Sequence, residues 1–232
     1  MSKHKATRLS ARDYAILHLA DRLRVLTIAI LRKGVLAGLS RSGASKIVNR
    51  LVRSQHLCGY TLFHPTRYFV LGDQGARLLG RTNHRTLPLG PQALPIEYTT
   101  AVYRVLGRTP RKRLMRSEVQ EIYSWLTGQL MDAPMCIDEA HSVLELLRVD
   151  LGGPVDHIAR KCRADIDERS GIPEFNALIK TKCFRLVVIT GTKEKLGAIK
   201  AALGRHQWPP GLLIHCSVVS ELLLLTARNR HA

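Results

Sequence analysis

Along the first third of the chain apolar positions recur at helical spacing, and along the last third they gather into short, nearly uncharged runs. The first pattern opens at Ser10 with Asp13 three residues on, a capping-box arrangement in which hydroxyl and carboxylate each meet a free backbone amide. The helix it starts is expected to bury Tyr14 and Leu17, with Ile16, Leu19 and Ala20 beside them. Thr27 begins a second helical stretch through Ile28, Ile30 and Leu31, ending near Gly34 or Gly38. Behind Ser42, read as an N-cap, Ala44, Ile47, Val48, Leu51 and Val52 form the apolar face of a third helix. Residues 57–63 and 67–71 then read as the strands of a hairpin around His64-Pro65-Thr66, and 73–79 as a short closing helix.

The pattern lapses over residues 80–96, which hold three prolines and two glycines without periodicity. This stretch predicts a linker over 81–96, between a first domain at 1–80 and a second at 97–232. Helical spacing resumes over 96–106 and again over 117–130. From about Met135 the texture changes: 143–149 and 184–190 are apolar runs of strand type, 154–168 and 193–203 are helical, 212–215 is a short strand and 218–225 a last helix. Strands alternating with helices imply an α/β domain with a partly parallel sheet.

Charge sharpens this division. The 232 residues carry a formal net charge of +18, and residues 1–90 hold 16 Lys/Arg against 3 Asp/Glu, whereas 91–232 hold 20 against 15. A basic surplus confined to one patterned segment points to a nucleic-acid surface, although ribosomal or membrane-surface binding produces a similar bias. On the third helix, Lys46, Asn49 and Arg53 point away from the apolar face, with Ser45 and Arg50 on its flanks and Arg41 ahead of them. That face carries cations and an amide but no acid. Arg67, by the hairpin tip, extends it. A second basic run, Arg104 to Arg116, has six cations and no acid, so Arg111, Lys112 and Arg113 are expected either to contact phosphate or to form a solvated face.

Other chemistry is sparse. The five cysteines are scattered without a C-x-x-C pair, as suits a reducing compartment, and neither Cys136 with His141 nor His157 with Cys162 matches a compact zinc finger. There is no P-loop, G-x-S-x-G or H-E-x-x-H motif. The most apolar stretch, 212–225, is short and interrupted by polar residues, so no membrane contact and a cytoplasmic location, with the nucleoid or a plasmid, are expected.

The stretch YFVLGDQGARLL, with Tyr68 ahead of Leu71, Gly75 and Leu79, resembles the wing exit of the replication-relaxation family of plasmids and integrative elements, whose relatives include the C-class mobilization relaxases. Gly72 stands where that family has threonine. IDEAHSVLELLRVDLGG, then HIARKCRADI and FRLVVIT, resemble the family's C-terminal domain. The resemblance implies a fold of mixed α+β or α/β class, an N-terminal winged helix-turn-helix followed by a restriction-endonuclease-like domain of the PD-(D/E)xK kind. Such a site holds Mg²⁺ or Mn²⁺ between carboxylates and uses a lysine to orient the nucleophile. Asp138 stands at the first carboxylate position and Asp150 near the second, but Arg148 occupies the place of a ligand, and Lys161 is the candidate for a displaced lysine. Glu145 is turned to the other sheet face from Asp150 by strand parity. A working metal site, a decayed site and coincidental surface charges all fit these residues. If the site is decayed no cofactor is expected, and Arg148 is expected to pair with Asp138 or Asp150. None of the six tyrosines is marked as a relaxase nucleophile, and Tyr14, Tyr60 and Tyr68 read as packing residues.

The expectation is a DNA-binding protein of a mobile genetic element, an accessory or regulatory factor in transfer or replication that reads double-stranded DNA through the winged helix. It would act as a homodimer or with other transfer or replication proteins. A metal-dependent nickase at a transfer or replication origin is the alternative, and a transcriptional regulator with a dimerising C-terminal domain a third reading.

Overall fold

The computed structural model describes residues 8–82, 85–107 and 109–227 of an α+β chain that divides into two compact units, 1–90 and 91–232. In the first unit, α1 (Ala11–Leu23) begins at the capping box of Ser10 and Asp13, α2 (Ile28–Lys33) is capped by the Thr27 hydroxyl, and α3 (Arg41–Arg53) follows. The cap of α3 is Ser40, whose Oγ accepts from the Gly43 amide at 3.1 Å, two residues ahead of the serine expected. Strands β1 (Leu57–Phe63) and β2 (Thr66–Leu71) form an antiparallel hairpin, and α4 (Asp73–Leu78) closes the unit. Leu26 and Phe69 exchange backbone hydrogen bonds, which fastens the α1–α2 connection to β2 as a one-residue third strand.

Ile16, Leu17, Leu23, Leu31, Val48, Leu51 and Leu71 fill the interior of this unit. Tyr14 does not join them and lies exposed. Gly72 and Gly75 are explained by backbone proximity: a Cβ at either would lie 2.3 Å from the Gln55 or His56 carbonyl oxygen of the α3–β1 turn. The Gly72 amide uses that closeness to donate to the His56 carbonyl.

The stretch expected to be a linker is divided. Arg81 pairs with Asp21, Tyr60 Oη donates to the Thr86 carbonyl and the Leu89 amide donates to Tyr68 Oη, so residues 81–89 lie tied to the first unit where described. Helix α5 (Ala93–Leu106) begins three residues earlier than expected, with Pro95 in its first turn, where a missing amide costs no helical bond. Only a few residues around Gly90 remain between them.

The second unit is built on a five-stranded mixed sheet, β3 (Arg111–Arg113), β4 (Met135–Asp138), β5 (Val143–Val149), β6 (Phe184–Thr190) and β7 (Leu213–Val218), in that spatial order. The first three strands run antiparallel to one another, and β5, β6 and β7 run parallel. Between them come α6 (Arg116–Ile122), α7 (Val155–Asp167), α8 (Pro173–Lys180) and α9 (Lys193–Gly204), with α10 (Leu222–Ala227) last. Leu144, Leu146, Leu186 and Val188 on one sheet face pack with Ile158, Phe175, Ile179 and Ile199 of α7, α8 and α9. Helix α5 covers the opposite face and meets α10.

Three expectations change here. The helix expected over 117–130 stops at Ile122, and a 3-10 turn follows at Gly128–Met131. Strand β7 runs on to Val218, so the last helix starts at Leu222. Strand β3 and helix α8 form where the residue pattern predicts no element.

Candidate nucleic-acid interface

Ala44, Val48 and Leu51 anchor α3 to the core, and this fixes what the opposite face displays. Arg41, Lys46, Asn49 and Arg53 are exposed there, with Ser45 half-buried beside them. Among the described residues none of Arg41, Lys46 or Arg53 pairs with an acid. Two of the unit's three acids are occupied elsewhere, Asp13 and Asp21 being buried against Arg50 and Arg81, and Asp73 sits in the first turn of α4.

Arg50 is a correction to the expected reading face. Its guanidinium bonds the Asp13 carboxylate, which is 1 % exposed, and so ties α3 to the cap of α1. Burial alone would raise the Asp13 carboxyl, but bonds from Arg50 and from the Ser10 amide and hydroxyl outweigh it and hold the group below the ordinary carboxylate range. Arg67 lies exposed over the hairpin, its guanidinium 3.3 Å from the Gly59 carbonyl and 5.6 Å from the Phe69 ring centroid. His64 and Pro65 form an exposed tip.

The second basic run is a different object. Arg111 donates to Glu145 at 2.9 Å and stacks on Tyr103, with its side chain 9 % exposed. Arg113 forks onto Glu97, and Lys112 pairs with Glu118 at 2.9 Å. All three expected phosphate contacts are thus met by glutamates, Arg111 and Arg113 in largely buried ion pairs that hold β3 to β5 and α5, and Lys112 in an exposed pair with α6.

Strand register decides the fate of the expected metal site. Asp138 pairs across the ladder with Val143 at the start of β5, whereas Asp150 follows the end of β5. At a strand rise of about 3.3 Å per residue the two carboxylates stand roughly 20 Å apart. Asp138 meets the Ala140 amide and His141 Nδ1 at 3.1 Å and Arg185 at 3.4 Å. Burial would raise its carboxyl, but His141, the Ala140 amide and Arg185 keep it below the ordinary range. Asp150 pairs with Lys195 of α9 at 2.8 Å and accepts from Thr190 Oγ1 at 2.9 Å. Lys161 is exposed on α7. Arg148 turns to Asp165 of α7, not to Asp138 or Asp150. The residues expected to hold Mg²⁺ or Mn²⁺ therefore do not fit one ion: each carboxylate is already met by a cation, and the two are far apart. Among the described residues no cluster of three or more His, Cys, Asp or Glu is suited to a metal.

Asp138 does have a carboxylate neighbour, and it is Glu145. Both accept from Arg185, and Tyr103 Oη donates to Glu145 at 3.0 Å. Glu145 is fully buried and directly opposite Arg185 in the parallel ladder. A lone acid in one apolar run and a lone cation in the next is the sequence signal for this pair. Lys195 and Asp165 carry no comparable signal. Burial raises the hydroxyls of Tyr98, Tyr103 and Tyr123, and pushes Tyr60 up to about 12, which makes them poor nucleophiles.

No family model, no curated protein and no solved structure matches the chain.

Proposed function

We propose that the first unit is a winged helix that binds double-stranded DNA, with α3 in the major groove and the His64-Pro65 tip against the backbone. The observation that carries this reading is the outer face of α3, where Arg41, Lys46, Asn49 and Arg53 are exposed and, among the described residues, none of the three cations has an acid partner. A solvated helix face ordinarily mixes both signs, and a polyanion is the partner that a one-signed face of this kind attracts. Asn49, central on the face, carries the amide that pairs with adenine in the major groove.

The second unit acts in this reading as a binding body. Its acids and cations neutralise one another across β3, β5, β6, α7 and α9, which supports a role without metal chemistry. The role is that of an accessory or regulatory factor in the transfer or replication of a mobile genetic element, working on its DNA. No described helix is long and apolar enough to cross a membrane.

The test is binding of the full chain to specific and random duplexes. Arg53→Ala is expected to weaken both alike, and Asn49→Ala to reduce the difference between them. Equal losses on both duplexes for Asn49→Ala would remove it from the base readers, and undiminished binding by an Arg41, Lys46 and Arg53 triple alanine variant would overturn the reading. Incubation of supercoiled plasmid with Mg²⁺ or Mn²⁺ is expected to leave it intact; nicking that Asp138→Ala abolishes would restore the nickase.

A further inference from the structure

The two edges of the sheet in the second unit are built differently. The β3 edge is three residues long and each of them, Arg111, Lys112 and Arg113, is charged. Short length and charge are the devices that keep a sheet edge from pairing with another chain. The β7 edge has neither. It runs six residues, Leu213-Ile214-His215-Cys216-Ser217-Val218, with no Lys, Arg, Asp, Glu or Pro.

Among the described residues the backbone of β7 pairs on one side only. The Val219 amide donates to the Thr190 carbonyl of β6 at 2.9 Å. Strand alternation then turns the peptide groups of Leu213, His215 and Ser217 toward β6, and those of Ile214, Cys216 and Val218 outward. Among the described residues no further strand pairs with β7. A row of open donors and acceptors on an uncharged strand is a template for one more strand.

We infer that this strand is the β7 of a second copy of the chain, paired antiparallel about a two-fold axis at Cys216. Only outward-facing residues can form the hydrogen-bonded pairs, and the register that uses all three sets Ile214 against the partner's Val218 and Cys216 against its own counterpart. The same register sets His215 opposite Ser217. Ile214, Cys216 and Val218 thus meet one another on one sheet face, and on the other His215 meets Ser217 while Leu213 lies opposite Val219. A strand that matches its own reverse in this way is what a two-fold interface requires. A charged peptide would find no counter-charge on it. The result is a continuous ten-stranded sheet, and the inference holds whether or not α3 binds DNA.

A contact of one strand is below the area of a standard stable interface, so affinity of micromolar order is expected and the full chain should be weighed at about 100 µM. Sedimentation should then give twice the 26.0 kDa chain mass. Amide exchange supplies the register: the Ile214, Cys216 and Val218 amides should be protected at that concentration and lose protection on dilution, while those of His215 and Ser217 stay protected throughout. Cys216→Pro removes an outward amide without touching the ladder to β6, and should yield a folded monomer. His215→Lys, at an exposed side chain, places a lysine on the edge and should do the same without altering the backbone. A 26.0 kDa species for the wild type at about 100 µM, or a dimer that survives His215→Lys with the outward amides exchanging fast, would overturn the inference.

Discussion

Residues 41–53 and 104–116 look alike in the sequence: each is a run of cations without an acid. In the folded chain they are opposites. On α3 the cations Arg41, Lys46 and Arg53 stand on a face that meets no acid among the described residues, whereas Arg111, Lys112 and Arg113 are each bound by a glutamate brought from elsewhere in the chain. A basic run is therefore a surface only if the fold leaves its counter-charges behind. The first unit has three acids and buries two of them under Arg50 and Arg81, while the second supplies an acid for nearly every cation on its sheet.

The sharpest way to break this contrast is to remove a counter-charge from the second region. Glu145→Ala would leave Arg111 and Arg185 facing each other in a buried site, and a cost of about 3–5 kcal/mol in stability is expected by denaturant unfolding. A loss below about 1 kcal/mol would mean that water already solvates the cluster. In the first region Arg50→Ala should cost about 1–3 kcal/mol, at the lower end because its side chain is 35 % exposed, while the salt dependence of DNA binding stays unchanged. Lys46→Ala should do the reverse. If Arg50→Ala instead lowers the salt slope, Arg50 belongs to the reading face after all.

Acid sharpens the same point. The carboxyls of Asp13 and Asp138 sit below the ordinary range in the folded chain. Their contribution to stability is complete above the unfolded carboxylate value of about 4, and is lost as pH falls through the lower folded values. Unfolding followed between neutral pH and about pH 2 should therefore show a shallower acid limb for Asp13→Asn than for the wild type. Parallel limbs would mean that Asp13 has the same affinity for protons folded and unfolded. The smallest effect expected is that of Lys112→Ala. Its pair with Glu118 is exposed, so stability should move by less than about 0.5 kcal/mol and DNA affinity hardly at all.

Much of the fold was legible because burial imposes a period. The capping box at Ser10, the apolar face of α3, the hairpin and the strands at 143–149 and 184–190 all follow from spacing alone. The short elements were not legible: β3 is three charged residues held by a neighbouring ladder, and nothing in Arg-Lys-Arg itself favours a strand. The exposure of Lys46, Asn49 and Arg53 opposite the apolar face of α3 was legible, but the pairing of Arg50 was not, since its partner lies 37 residues away. The expected metal pair failed for a reason that sequence does not carry. Asp138 and Asp150 are 12 positions apart, and whether that span brings them together depends on which end of β5 each one reaches. Parity correctly separated Glu145 from Asp150, but Asp138 turned out to share the face of Glu145.

In the proposed function α3, and not β3, is the surface that meets DNA. Affinity of the full chain for one duplex, measured across a salt series for Arg53→Ala and Lys112→Ala against the wild type, distinguishes the two surfaces. The log–log salt slope should fall in magnitude by about 0.9 for Arg53→Ala, the release of one phosphate's counterions, and stay at the wild-type value for Lys112→Ala. A slope lowered by Lys112→Ala and untouched by Arg53→Ala would put the DNA contact on β3 and not on α3.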